Sequence, residues 1–191
     1  MLFRSNDVIE VHRRILTAAG LKFCGLWPAP LAQVQAAVAS PVLNRVDPDS
    51  YHLLLVTDQD SVELTLLRGD HCLMSVSRPI GGKHAGAADA ASPVLQAIRR
   101  LKPSLSMQYP NLQLQSIVCA GFEEPGGQLS AEVAGEFGAP VEWFDPMAGV
   151  EGADVPADQR GGFTDAVGSL LLAAKPAGQR IDFLSPKKAD R

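Results

Sequence analysis

Four carboxylates, Asp58, Asp60, Glu123 and Asp165, fall around the ends of two apolar runs and at the start of an apolar helical segment. Carboxylates projecting from neighbouring strand and helix ends can share two Mg²⁺ ions and hydrolyse a phosphodiester. The plainer reading is that turns and helix starts favour Asp and Glu on their own account. Charge balance supports it: 17 Lys and Arg stand against 21 Asp and Glu, a net charge of −4, so no positive field gathers nucleic acid or anionic lipid. Ile80-Gly81-Gly82-Lys83-His84 looks fit for phosphate, yet it lacks the Gly-x-x-x-x-Gly-Lys-Ser/Thr spacing that wraps amides around one, and is read as a flexible connection. His12, His52, His71 and His84 stand on different elements with no second His or Cys at ligand spacing, so each is read as a surface or turn histidine rather than a zinc ligand. No serine occupies a Gly-x-Ser-x-Gly elbow, and no cysteine has the His and Asp order of a hydrolase behind it.

These residues need a scaffold, and the composition supplies one. With 191 residues, 46% hydrophobic and 20% charged, the chain can build one sizeable core, which excludes wholesale disorder or a fibrous repeat. Cys24, Cys72 and Cys119, odd in number and each in an apolar run, suit buried thiols in a reducing compartment, so a cytoplasmic protein is expected. No apolar stretch approaches the roughly 20 residues of a membrane helix, and Met1 to Asp7 is no signal segment.

Val8, Val11, Ile15 and Ala19 repeat with a helical period between the capping residues 5–7 and Gly20. Leu21 to Leu26 reads as a short strand, and Pro30 opens a helix with Leu31, Val34 and Val38 on one face. Residues 40–50, with two prolines, read as a linker. Leu53 to Asp58 is a continuous apolar run, the expected central strand. Tight turns at Gln59-Asp60 and Gly69-Asp70 join it to two more strands, Ser61 to Arg68 and His71 to Arg78, with Glu63 and Thr65 on the face opposite Val62, Leu64 and Leu66. A loop of small residues, 81–91, leads to a helix carrying Val94, Ala97, Ile98 and Leu101 and ended by Pro103. A βαβ unit follows: Ser116 to Ala120, a helix with Leu129, Val133 and Phe137 stopped by Gly138, then Val141 to Phe144. Residues 145–162 are expected as an exposed loop, and Val167, Leu170, Leu171 and Ala174 as the inward face of a last helix. Trp27 and Trp143, each beside a proline at a strand end, are read as rims of the core.

A three-strand meander extended by two βα units allows few topologies, and the familiar one is a ribonuclease H-like or actin-like mixed α/β sheet flanked by helices. Three parts are expected: residues 1–45, a helix-strand-helix; residues 46–178, the ribonuclease H-like or actin-like domain; and residues 179–191, a basic tail.

In this order the residues resemble the actin-like proteins of type IV pilus and type II secretion assembly, PilM and the cytoplasmic part of GspL. The similar pieces are Ala19-Gly20-Leu21, the meander closing with Ser77-Arg78-Pro79-Ile80-Gly81-Gly82, Ile117 to Gly121, Gly138 to Pro146, Phe163 to Leu172 and Ile181 to Pro186. Against that family, residues 1–45 look like the remnant of a first actin-like half. The family's ATPases grip phosphates with glycine-containing turns, because only bare backbone brings N–H groups close enough to an anion. Here Asp58, Asp60, Ser61 and Gly121 occupy the positions that would bind a nucleotide. The turn Thr57-Asp58-Gln59-Asp60-Ser61 has no glycine and presents two carboxylates, which repel phosphate unless a cation intervenes. Phe122 and Glu123 would crowd the adenosine side.

The resemblance therefore implies a non-catalytic scaffold with no cofactor, docked to other assembly proteins at the inner membrane and holding no nucleic acid. An ATP- and Mg²⁺-binding protein completed by another chain, a homodimer included, stays open as the alternative, and a metal-dependent nuclease as a remoter one. In the tail, Ile181, Phe183, Leu184 and Pro186 fall in a segment similar to the Ile-Asn-Leu-Leu-Pro stretch of PilN, which precedes a membrane helix and lies in a groove of PilM. Lys187, Lys188 and Arg191 follow, and basic residues beside a membrane entry are drawn to the anionic leaflet by about 1 kcal/mol each. Membrane contact is thus expected only through sequence beyond Arg191, which an apolar run of membrane length in the parent gene would establish. The bland alternative is an edge strand and a solvated tail.

Overall fold

A computed structural model describes residues 5–22, 25–43, 47–58, 60–80, 91–121, 127–151 and 154–176. It divides into two compact units, one containing residues 1–27 and the other formed by residues 28–176. In the first, helix α1 (Ser5–Ala18) ends just before Gly20. Its apolar stripe is left open, with Val11 53% and Ile15 60% exposed. The strand expected over 21–26 is absent among the described residues. Gly25 lies instead against the Trp27 ring, where a Cβ would collide with it.

The second unit is built on one five-stranded sheet, ordered β3-β2-β1-β4-β5. Its strands are β1 (Tyr51–Thr57), β2 (Ser61–Arg68), β3 (His71–Pro79), β4 (Leu114–Ala120) and β5 (Val141–Trp143). The first three form the antiparallel meander, while β4 joins β1, and β5 joins β4, in parallel. This is the mixed sheet expected, with the run at 53–58 at its centre.

Strand alternation assigns the side chains to two layers. Leu53, Leu55, Ile117 and Cys119 face α3 (Ala91–Gln108) and α4 (Gln128–Phe137), meeting Ile98, Leu101, Leu129 and Val133. Leu54, Val56, Val118 and Ala120 face the opposite way, onto Val34, Ala36 and Ala37 of α2 (Ala29–Ala39). Helix α5 (Thr164–Ala174) packs in turn on α2. That is why α2 belongs with the sheet, although the sequence suggests a division after residue 45. Trp143 rims the first layer and donates from Nε1 to Ser130 Oγ at 2.8 Å.

Three expectations about the second unit are corrected. Helix α3 runs through Pro103 to Gln108, because Leu105 extends the buried stripe of Ile98 and Leu101 beyond the proline. Both faces of β2 are shielded: Thr65 is fully buried, and Glu63, which accepts from Gln33 of α2, is half-buried. The loop at 145–162 contains the start of a 3-10 helix, Ala157–Phe163, tied down by Arg160 to Asp145 at 3.0 Å. Helix α5 turns Thr164, Gly168 and Leu172 inward and leaves Leu170 71% exposed. Its orientation follows from Gly168, which lies so close to the Ala32 main chain of α2 that a Cβ would overlap it.

Candidate functional site

The β1–β2 hairpin, the first turns of α2 and the junction between the 3-10 helix and α5 meet around a cavity of about 210 Å³. Its lining includes Gln33, Thr57, Asp58, Ser61, Glu63, Gly162, Thr164 and Asp165. Each arrives there for a local reason. Asp58 follows β1 and folds back over its own turn: Oδ1 accepts the Asp60 N–H at 2.7 Å and the Ser61 N–H at 2.5 Å, and Oδ2 accepts the Ser61 hydroxyl at 2.8 Å. The Asp58 N–H donates to the Ser61 carbonyl at 2.9 Å. The Asp58, Asp60 and Ser61 amides of the hairpin are thus spent on its own carboxylate and carbonyl.

Gln33 is 3% exposed and donates from Nε2 to Glu63 Oε2 at 2.9 Å, while Ser75 Oγ donates to Glu63 Oε1 at 3.0 Å. Asp165 stands at the start of α5, at the cavity mouth. Burial pushes its carboxyl above the ordinary value, a hydrogen bond from Gln33 pulls it partly back, and the Asp58 charge adds to the rise. Thr164 donates its hydroxyl to the Gly161 carbonyl at 2.6 Å, holding the junction.

The floor is main chain. Gly121 follows β4 with φ +146°, and a Cβ on it would run into Thr57. A Cβ on Gly161 would run into Gly121 in turn. Main chain at the end of β1, just after β4 and in the 3-10 helix is stacked too closely for side chains between them.

Of the residues singled out for a nucleotide, Asp58 and Ser61 line the cavity together. Asp60 does not line it; its carbonyl accepts the Ile80 N–H at 2.7 Å. Gly121 lies beneath Gly161, in the floor rather than at the lining. Of the four carboxylates considered for two metals, Asp58 and Asp165 share the cavity, and Glu123 lies outside the described residues. Ile181, Phe183, Leu184 and Pro186 also lie outside them, as do Cys24 and His84. Among the described residues, no three acidic, histidine or cysteine side chains are placed to hold a metal ion.

Sequence reasoning missed Gln33 and Glu63. The available signal was a glutamine inside the Ala-rich run at 29–39, where a polar side chain on a buried helix demands a partner. It also misjudged His52, which is 2% exposed rather than at the surface. Its ring links β1 to β4, with Nε2 2.7 Å from Ser50 Oγ and Nδ1 2.9 Å from Ser116 Oγ.

No protein-family model and no curated protein matches the sequence. Solved structures do. A PilM-PilN type IV pilus biogenesis complex is similar over 84% of this chain and 56% of its own, at 23% identity and TM-score 0.64. The ethanolamine utilization protein EutJ from Carboxydothermus hydrogenoformans is similar over 85% of this chain and 60% of its own, at 14% identity and TM-score 0.52. The fold is actin-like, of the PilM type. The chain spans little more than half the length of either structure. Among the described residues, no helix is long and apolar enough to cross a membrane.

Proposed function

We propose that the chain is a non-catalytic docking domain of an inner-membrane assembly related to type IV pilus or type II secretion machinery, working at the cytoplasmic face without a bound cofactor. The observation that carries this reading is the Asp58 carboxylate closed over the hairpin. A phosphate grip requires free amides, and here the Asp60 and Ser61 N–H groups already donate to a carboxylate. Any phosphate entering would also meet the acidic lining of Asp58, Glu63 and Asp165. The similarity to a PilM solved with PilN supports assembly proteins as the partners. The tail around Ile181, Phe183, Leu184 and Pro186 is assigned as a docking segment beside the membrane.

A thermal shift with millimolar ATP and Mg²⁺ tests the loss of nucleotide binding. Ligand that binds only the native state must raise its stability, so the expected result is an unchanged Tm. A rise of several degrees overturns the reading in favour of an actin-superfamily ATP-binding protein.

A further inference from the structure

The sheet has a long open edge. β3 is an outermost strand and, at nine residues, the longest of the five, while the opposite edge is the three-residue β5. The register fixes which of its main-chain groups face outward. The Ile80 N–H donates to the Asp60 carbonyl at 2.7 Å, so alternation turns the N–H and C=O of Met74, Val76 and Arg78 toward β2 and those of Ser75 and Ser77 away from the sheet. The other side of β2 agrees. The Asp58 N–H donates to the Ser61 carbonyl, which assigns the odd-numbered main-chain groups of β2 to β1 and leaves the even-numbered ones for β3. Pro79, next in the outward series, has no N–H to leave unpaired, as suits an edge. Among the described residues, no hydrogen bond reaches the outward main-chain groups of Ser75 or Ser77.

Edges are guarded by charge, proline, bulges or a covering element. β3 has a bulge at Leu73, where the register shifts, and Pro79 at its other end. Between them, residues 74–78 carry a single charge, Arg78. This window is complementary to itself. Laid antiparallel to a second copy about Val76, Ser75 stands opposite the partner's Ser77, and Ser77 opposite the partner's Ser75. Each of these pairs exchanges two N–H to C=O bonds, so the outward groups of both strands are satisfied together. Val76 meets the partner's Val76 as a close β-branched pair, and Leu73, 39% exposed, falls opposite the partner's Pro79. Arg78 falls opposite the partner's Met74, away from any second cation. Met74 and Val76 already pack on the layer beneath α3 and α4, so the pairing carries that apolar layer from one sheet into the next.

We propose that the chain forms a symmetric dimer through β3, joining the five strands of each copy into one continuous sheet. The spacing of the outward groups and the uncharged residue set against each Arg78 select an identical strand as the occupant. A two-fold axis closes the pair, and the short β5 offers little edge for a third chain. The contact is separate from the cavity and stands whether or not a nucleotide binds.

Sedimentation velocity of the full chain across the micromolar range tests the proposal, with a concentration-dependent dimer as the expected result. Ser77→Pro deletes an outward N–H without touching the bonds to β2. The far-ultraviolet spectrum should therefore be kept while dimerisation weakens on the order of tenfold or more, because two hydrogen bonds are lost per dimer. Val76→Cys sets two thiols across the two-fold axis at a separation that a disulfide spans, so oxidation should give a covalent dimer. Met74→Cys and the parent chain with its native cysteines should stay uncrosslinked. This cross-link decides the question even where Ser77→Pro disturbs the strand. A chain that stays monomeric at every concentration overturns the pairing and leaves the edge to a strand of a different protein. A dimer untouched by Ser77→Pro and uncrosslinked by Val76→Cys uses another surface, and overturns it as well. Cross-linking of Met74→Cys without that of Val76→Cys overturns the register about Val76.

Discussion

At the single-residue level, His52 is held without charge. Ser50 Oγ donates to the Asp47 carbonyl at 2.6 Å, so it accepts from His52 Nε2–H, and Nδ1 is left to accept from Ser116. Burial lowers the imidazole from its ordinary 6.5, with the Glu142 charge opposing in part. The unfolded chain therefore takes up a proton that the native ring refuses, and stability is full above that value and falls as the pH drops below it. Urea midpoints measured between pH 7 and pH 5 should decline, and His52→Gln should flatten the decline. This histidine was invisible as a core residue because its role depends on Ser116, 64 positions away. Gly121 is equally silent in sequence. Gly121→Ala should cost on the order of 1–3 kcal/mol, read as a lower urea midpoint, since both φ and the Thr57 contact exclude a Cβ.

Among the elements, the meander was legible because period-two alternation and two tight turns leave little choice, and the register of β2 follows the expected bounds. Helix α5 was found but its face was not: Val167, Leu170, Leu171 and Leu172 are all apolar, so composition alone does not orient the helix. Backbone proximity at Gly168 does. Hence Leu172→Ala should cost about 2–5 kcal/mol, whereas Leu170→Ala should stay within about 0.5 kcal/mol, by denaturant midpoint. In α3, Pro103 persists because the stripe on either side of it is buried, not because the helix tolerates it locally. Pro103→Ala restores a missing N–H in an exposed turn and should raise stability by up to about 3 kcal/mol, seen as a higher Tm.

Across the molecule, sheet and helices could be inferred from periodicity, but the cavity could not. Gln33, Asp58, Glu63 and Asp165 are drawn together from three distant stretches, and a single sequence gives the residue types without the juxtaposition. Alternation puts Glu63 on the face opposite Val62 and Leu64, but nothing local says that Gln33 of α2 meets it there. The division after residue 27 has a direct consequence: residues 28–176 cover both faces of their sheet from within. That fragment should unfold cooperatively with a midpoint close to that of the full chain, measured by circular dichroism.

The stacked backbone at Thr57, Gly121 and Gly161 sets a fixed depth. Substitution can repaint the walls, since Gln33, Ser61, Glu63 and Asp165 line them with side chains. No replacement can dig below them without prising apart the ends of two core strands. Variants of this protein can therefore alter the charge of the cavity's walls, while its floor stays where the crossing main chains put it.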